Sequence, residues 1–403
     1  MFFLEIILAI LLGILTGIIT GLIPGLHVNL ITLLLVSSVT LFSKVPVFYL
    51  AIFIISLALT HSFLDSIPSI FLGAPDESQV VAVLPGHQFF MDGKGHLAVI
   101  YTLIGSLFAL ILTVLFVPVG LKLLLSAQQL IQPFIGKILF LVVLVLLFLS
   151  KKFFLNAIFF LIAGLLGLLC FNLVHQDQIL LPLLSGLFGV STLLTSLVGG
   201  DSSSSSKKKQ IFQKDFPLSS KDVERVVSRS TFVGLLASFL PGFGSSQAAI
   251  FASATIKKPS PRDYLILVGG INTVNFAFSI VTVIILGKAR NGAILGVKNI
   301  LGELTFSHLL FFVPVLLIVG GLATLLGIFL SKKVAVFLEK MPYSVVVWSV
   351  IFFLFLMVIF LSGFQGILIL LVASSLGIVA SQFGAQKNML LGTLLLPVIL
   401  YLW

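Results

Sequence analysis

Two Pro-Gly pairs interrupt apolar stretches, at Leu22-Ile23-Pro24-Gly25-Leu26-His27 and at Phe239-Leu240-Pro241-Gly242-Phe243-Gly244. Proline removes an amide donor and stops a helix, while glycine permits backbone angles closed to other residues. The residues after each break would open a new half-helix: His27, Asn29 and Thr32 in one case, Ser245, Ser246 and Gln247 in the other. The free N–H groups and positive dipole end of such a half-helix favour an anion. A packing kink is the plainer reading of one break, since both residue types are common in membrane helices. A helix breaker in lipid is tolerated only where its backbone is buried in protein or lines a cavity. A matched pair of breaks therefore points to a transport site built from discontinuous helices.

Other polar residues within apolar sequence supply the remaining candidates. Asp65 follows His61 by four positions, which places both on one helix face as a proton or cation site. Asn272, Thr273 and Asn275 offer the carbonyl and hydroxyl oxygens that suit a hard cation such as Na⁺. The turn Gly73-Ala74-Pro75-Asp76-Glu77-Ser78-Gln79 brings Gly73 and Ser78 into the candidate substrate site. Ionisable groups in a re-entrant segment of this kind are expensive and mark a pathway; in a surface loop they are merely solvated. Lys288 and Arg290 follow an apolar run, where they either hold an anion or mark a helix end, and Arg290 is carried forward as an anion ligand. No metal cluster, nucleotide-binding loop or nucleophile elbow is present, so no catalytic residue, metal or cofactor is expected beyond Na⁺ or H⁺ as a coupling ion.

The elements that must position these groups are hydrophobic helices. Apolar residues make up 59% of the chain and charged residues 9%, with a mean hydropathy of +1.26. A soluble domain carries roughly a quarter charged residues. Spans need about 20 apolar residues, and such runs recur throughout, predicting an all-α integral membrane protein with about ten to twelve spanning or half-spanning segments. The first run has no basic flank or cleavage site and reads as a retained segment. Cys170 stands alone, and the formal charge of +10 reads as cytoplasmic basic residues, not as a nucleic-acid surface.

Residues 200–225, with Ser202–Ser206 and Lys207-Lys208-Lys209, read as a solvated cytoplasmic linker between a first half, 1–199, and a second, 226–403. Its last part, Ser219-Ser220-Lys221-Asp222-Val223-Glu224-Arg225, reads as a capped helix start running into the next span. The halves share three features in one order. The Pro-Gly breaks lie 217 positions apart, the polar clusters around Asp65 and Asn272 follow them, and Gly73 and Gly287 lie 214 apart. Inverted-topology repeats are the expected relation.

At these residues the chain resembles the permease subunit of the tripartite tricarboxylate transporters, in their shorter archaeal-type branch. The match lies in Leu22-Ile23-Pro24-Gly25-Leu26, Ser69-Ile70-Phe71-Leu72-Gly73-Ala74-Pro75, Pro85-Gly86, Gly93 and Leu240-Pro241-Gly242. The resemblance implies uptake of anionic carboxylates by a large plasma-membrane subunit, working with a small membrane subunit and an extracytoplasmic binding protein. Asp76-Glu77-Ser78-Gln79 and Pro85-Gly86-His87-Gln88 depart from the family's usual pattern of small residues followed by an Asp-Gly-Tyr-Pro turn. The expectation is a carrier moving a small organic anion, a di- or tricarboxylate, coupled to Na⁺ or H⁺ by alternating access. Its anion would sit at Pro24, Gly25, His27, Asn29, Gly73, Ser78, Pro241, Gly242, Ser245, Ser246 and Arg290. Its coupling ion would sit at His61, Asp65, Asn272, Thr273 and Asn275. A polyprenyl-phosphate translocase is the alternative, because broken helices suit a phosphate equally well. An intramembrane enzyme using His61 and Asp65, or His87 and Asp92, lacks a paired nucleophile.

Overall fold

The structure, a computed structural model, describes residues 2–403 other than 25, 27, 43, 74–82, 151, 174–175, 200–208, 213–218, 240–243, 255, 257–259, 288 and 290. Regular structure among the described residues is entirely helical. The first half contains α1 (Phe2–Leu22), α2 (Val28–Ser37), α3 (Val47–Leu64), α4 (Ser66–Leu72), α5 (Val83–Met91), α6 (Gly95–Ile131), α7 (Ile135–Leu149), α8 (Phe153–Leu173), α9 (Gln176–Leu184) and α10 (Ser191–Gly199). One π-helical stretch, Ser185–Val190, joins the last two. The second half contains α11 (Ser220–Phe239), α12 (Ser245–Ala254), α13 (Pro261–Leu286), α14 (Gly292–Leu301), α15 (Phe306–Glu339), α16 (Tyr343–Phe383) and α17 (Gly392–Tyr401).

Helix ends follow their local sequence. Ser260 caps α13 by accepting from the Asp263 amide, Asp263 reciprocates on the Ser260 amide, and Pro261 opens the first turn. Gly73 ends α4 and Gly287 ends α13, each at φ 63°. Only glycine adopts that left-handed cap without strain. Within α16, Gly363 at φ 62° and ψ −159° divides the run into two helices across a kink.

Among the described residues, seven helices are long and apolar enough to cross a membrane, and four shorter apolar helices accompany them. This is an all-α integral membrane protein. Their shelter from lipid differs. The most apolar window is 83% buried in α13 and 78% in α3–α4, against 28% in α16 and 33% in α1. His61, Asp65, Asn272, Thr273 and Asn275 therefore ride on the two most enclosed spans, where lipid cannot force them out.

Packing is reciprocal between the halves. α1 lies parallel to α3, with Gly13 against Ser56, Gly17 against Thr60 and Gly21 against Leu64. α11 lies parallel to α13 in the same way, with Ser230 against Gly270, Gly234 against Val274, and Thr282 donating to the Ser238 carbonyl. α6 and α15 run antiparallel: His96 Nδ1 is 2.9 Å from Ser331 Oγ, Leu103 lies against Gly327 and Leu110 against Gly320. At the periphery the partners cross over. A Cβ at Gly167 of α8 would lie 2.0 Å from the Thr393 carbonyl of α17. One at Gly377 of α16 would lie 2.4 Å from the Leu187 carbonyl in the π-helical stretch.

The polar segment between the halves is held where it is described. Gln210 is 4% exposed; its side-chain carbonyl accepts from the Gly95 amide at 3.1 Å and its Nε2 donates to the Phe90 carbonyl at 3.0 Å. Its own amide donates to Glu339 at 3.2 Å, and Ile211 N donates to the Gly93 carbonyl at 2.7 Å. Phe212 packs against the His96 ring and under Lys332. A solvated connector was the expectation; residues 209–212 instead strap the α5–α6 turn to the end of α15. Helix α11 begins at Ser220, at the helix start expected from Ser219-Ser220-Lys221.

Candidate functional site

The site begins at the joint between α3 and α4. α3 ends at Leu64, Asp65 forms the turn, and α4 starts at Ser66. Asp65 is 3% exposed, so its carboxylate needs partners from the protein. One comes from the other half of the chain: Asn272 Nδ2 of α13 donates to Asp65 Oδ2 at 3.0 Å and to the Ser62 carbonyl at 3.3 Å. The opposite pole of the same amide faces Ser245, the first residue of α12, whose Oγ donates to Asn272 Oδ1 across a long 3.5 Å. Asn275, one turn further along α13, donates to Ser245 Oγ at 3.1 Å. A continuous chain of polar contacts thus runs Asp65–Asn272–Ser245–Asn275. It joins residues read separately as ion ligands and as an anion ligand.

The other described candidates surround this chain. His61 is buried one turn before Asp65. Thr273 is fully buried, and its Oγ1 has no hydrogen bond among the described residues. Ser246 is buried beside Ser245 at the start of α12. Pro24 lies in the turn after α1, where Leu26 N donates to the Ile23 carbonyl. Asn29 lies near the start of α2 and points elsewhere: a Cβ on Gly292 would meet its Oδ1 at 2.5 Å, so α2 abuts the start of α14. Gly73 is buried at its left-handed cap. Gly25, His27, Ser78, Pro241, Gly242 and Arg290 lie outside the described residues.

Sequence reasoning missed two partners. Asn291 caps α14 by accepting from the Ile294 amide, and its Nδ2 donates to Ser279 Oγ of α13 at 2.7 Å. Ser279 stands 214 positions after Asp65, the offset that separates Gly73 from Gly287, so that offset was the available signal. The Ser62 carbonyl was also missed; side-chain types say nothing of a backbone acceptor freed at a helix joint. Among the described residues no group of three metal-ligating side chains exists.

The comparison with known families shows what kind of protein holds this buried polar chain. The tripartite tricarboxylate transporter TctA family matches residues 7–392. This chain belongs to that family. TctA proteins are transporter subunits and not enzymes, so the chain is a multi-pass membrane permease. The family's tripartite systems work with a binding protein and a small subunit. An uncharacterized protein of the archaeon Methanocaldococcus jannaschii is 26% identical over 364 residues, covering 87% of each chain. No solved structure matches.

Proposed function

We propose that this permease carries a small organic anion, a di- or tricarboxylate, by alternating access coupled to Na⁺ or H⁺. The observation that carries the reading is the Asp65–Asn272–Ser245–Asn275 chain, buried in a TctA-family protein and drawn from both halves. Asp65 supplies the negative charge for the cation, with Asn272, Thr273, Asn275 and His61 around it. The anion lies at the start of α12, at Ser245 and Ser246, where the helix's N–H groups and dipole favour negative charge.

Alternating access finds support in the packing. α6 and α15 hold the same place in their halves and run antiparallel, as two inverted repeats related by an axis in the membrane plane would. The basic residues Lys94, Lys209, Lys332, Lys333 and Lys340 gather around the strap at residues 209–212, which favours that face as cytoplasmic. Partner subunits are proposed from the family alone. A lipid-phosphate carrier is disfavoured by the same family match.

The test is uptake of labelled di- and tricarboxylates into proteoliposomes under imposed Na⁺ and proton gradients in turn. Gradient-dependent accumulation, lost when Ser245 and Ser246 are replaced by alanine, supports the reading. Absence of uptake under either gradient, with binding protein and small subunit supplied, removes it.

A further inference from the structure

We infer that Asn272 is the coupling residue of this carrier, an amide whose rotation makes anion binding depend on the cation; the inference rests on the reading above. Asn272 carries a donor pole and an acceptor pole on one planar group. In the described state the donor pole faces Asp65 Oδ2 at 3.0 Å and the Ser62 carbonyl at 3.3 Å. The acceptor pole faces Ser245 Oγ at 3.5 Å.

Ser245 has a single hydroxyl proton. Its oxygen accepts from Asn275 Nδ2, and its proton is directed to Asn272 Oδ1. That proton is therefore not available to an anion at the start of α12.

Now place a cation at Asp65. The NH₂ group of Asn272 occupies the position between the carboxylate and the Ser62 carbonyl that a cation would take. Entry of Na⁺ expels the donor pole and rewards the acceptor pole: half a turn of the amide gathers Asp65 Oδ2, the Ser62 carbonyl and Asn272 Oδ1 around the ion. Oxygen ligands of this kind suit a hard cation. A proton on Asp65 has the same consequence, because a carboxylic acid donates to the oxygen of the turned amide. In either case Asn272 Nδ2 swings toward Ser245 Oγ. The serine oxygen then accepts from both Asn272 and Asn275, and its proton is released toward the anion. Without the cation, the turned amide would set three oxygens against one another. Ion and anion are thereby linked through one rotation, with no movement of the helices required for the linkage itself.

Linkage of this type is reciprocal and commonly amounts to about 5- to 150-fold in affinity. Isothermal titration of the purified full-length permease with citrate measures it, in NaCl and in choline chloride at one pH, and again in choline at lower pH. Wild type is expected to bind citrate about fivefold or more tightly with Na⁺, or at the lower pH, and the responding arm identifies the cation. Asn272→Asp replaces the amide by a carboxylate, which offers oxygens toward Asp65 and Ser62 and no N–H to Ser245. A single symmetric gel-filtration peak in detergent reports its intact fold, while its citrate affinity is expected to become weak and independent of cation. Ser245→Ala is expected to bind the cation as wild type does and to lose most of the cation's effect on citrate. A wild-type cation effect that survives in Asn272→Asp overturns the amide switch and leaves the carrier reading standing. Failure of wild type to bind any di- or tricarboxylate, in every cation condition, overturns both.

Discussion

Replacing Asn272 with leucine, a side chain of similar size, removes one donor from a carboxylate that has almost no access to water. Asp65 is 3% exposed and Asn272 7%. The lost contacts are Nδ2 to Asp65 Oδ2 at 3.0 Å, Nδ2 to the Ser62 carbonyl at 3.3 Å, and the long approach of Ser245. A hydrogen bond to a charged group contributes about 1.5–3 kcal/mol and a neutral one about 0.5–1.5 kcal/mol. The first contact therefore dominates, and Asn272→Leu is expected to destabilise the protein by about 2–4 kcal/mol. The attribution is checked by repeating the change in an Asp65→Asn background, where the acceptor is a neutral amide oxygen. There the same substitution should cost at least about 1 kcal/mol less, the difference between a charged and a neutral acceptor. Reversible unfolding of the four proteins in mixed detergent–SDS micelles gives the cycle. Equal costs in the two backgrounds, within about 0.5 kcal/mol, would refute the claim that Asn272 acts chiefly on the Asp65 carboxylate.

Three further outcomes follow from the packing. Gly167→Ala and Gly377→Ala each drive a Cβ into a carbonyl, at 2.0 and 2.4 Å, and should lower stability by about 1–3 kcal/mol, read as melting temperature in detergent. Gly73→Ala and Gly287→Ala place an L side chain at φ 63° and should each cost about 1–2 kcal/mol by the same measurement; a cost at only one would show the two caps to be unequal. Gln210→Ala strips partners from the Gly95 amide and the Phe90 carbonyl, and limited proteolysis within residues 209–219 should accelerate relative to wild type. An unchanged cleavage rate would deny the strap its role.

The residues most legible in sequence were those whose backbone demands are exclusive. Gly73 and Gly287 could be paired by offset because a left-handed cap selects glycine almost regardless of context. The class of fold was equally plain, since runs of about 20 apolar residues have few uses outside a membrane. Asp65 and Asn272 were each visible as polar residues in apolar surroundings, yet their contact spans 207 positions and depends on how α13 packs beside α3. Nothing local encodes it. Ser279 was hidden for a different reason: a lone serine in an apolar helix most often satisfies itself on the preceding turn, as this one also does on the Phe276 carbonyl. Gln210 was hidden by its neighbours, because a Lys-rich linker reads as solvated and one glutamine within it carries no mark of burial.

Concentrative uptake distinguishes a coupled carrier from a passive pore or an inert scaffold, and Asp65 is the group on which the proposed coupling rests. Proteoliposomes containing wild type or Asp65→Asn, with binding protein and small subunit supplied, are loaded with labelled citrate under an imposed Na⁺ or proton gradient. Wild type should concentrate citrate above the external level in response to one of these gradients, while Asp65→Asn should bring it no further than equilibrium. Accumulation by Asp65→Asn equal to that of wild type would contradict the account.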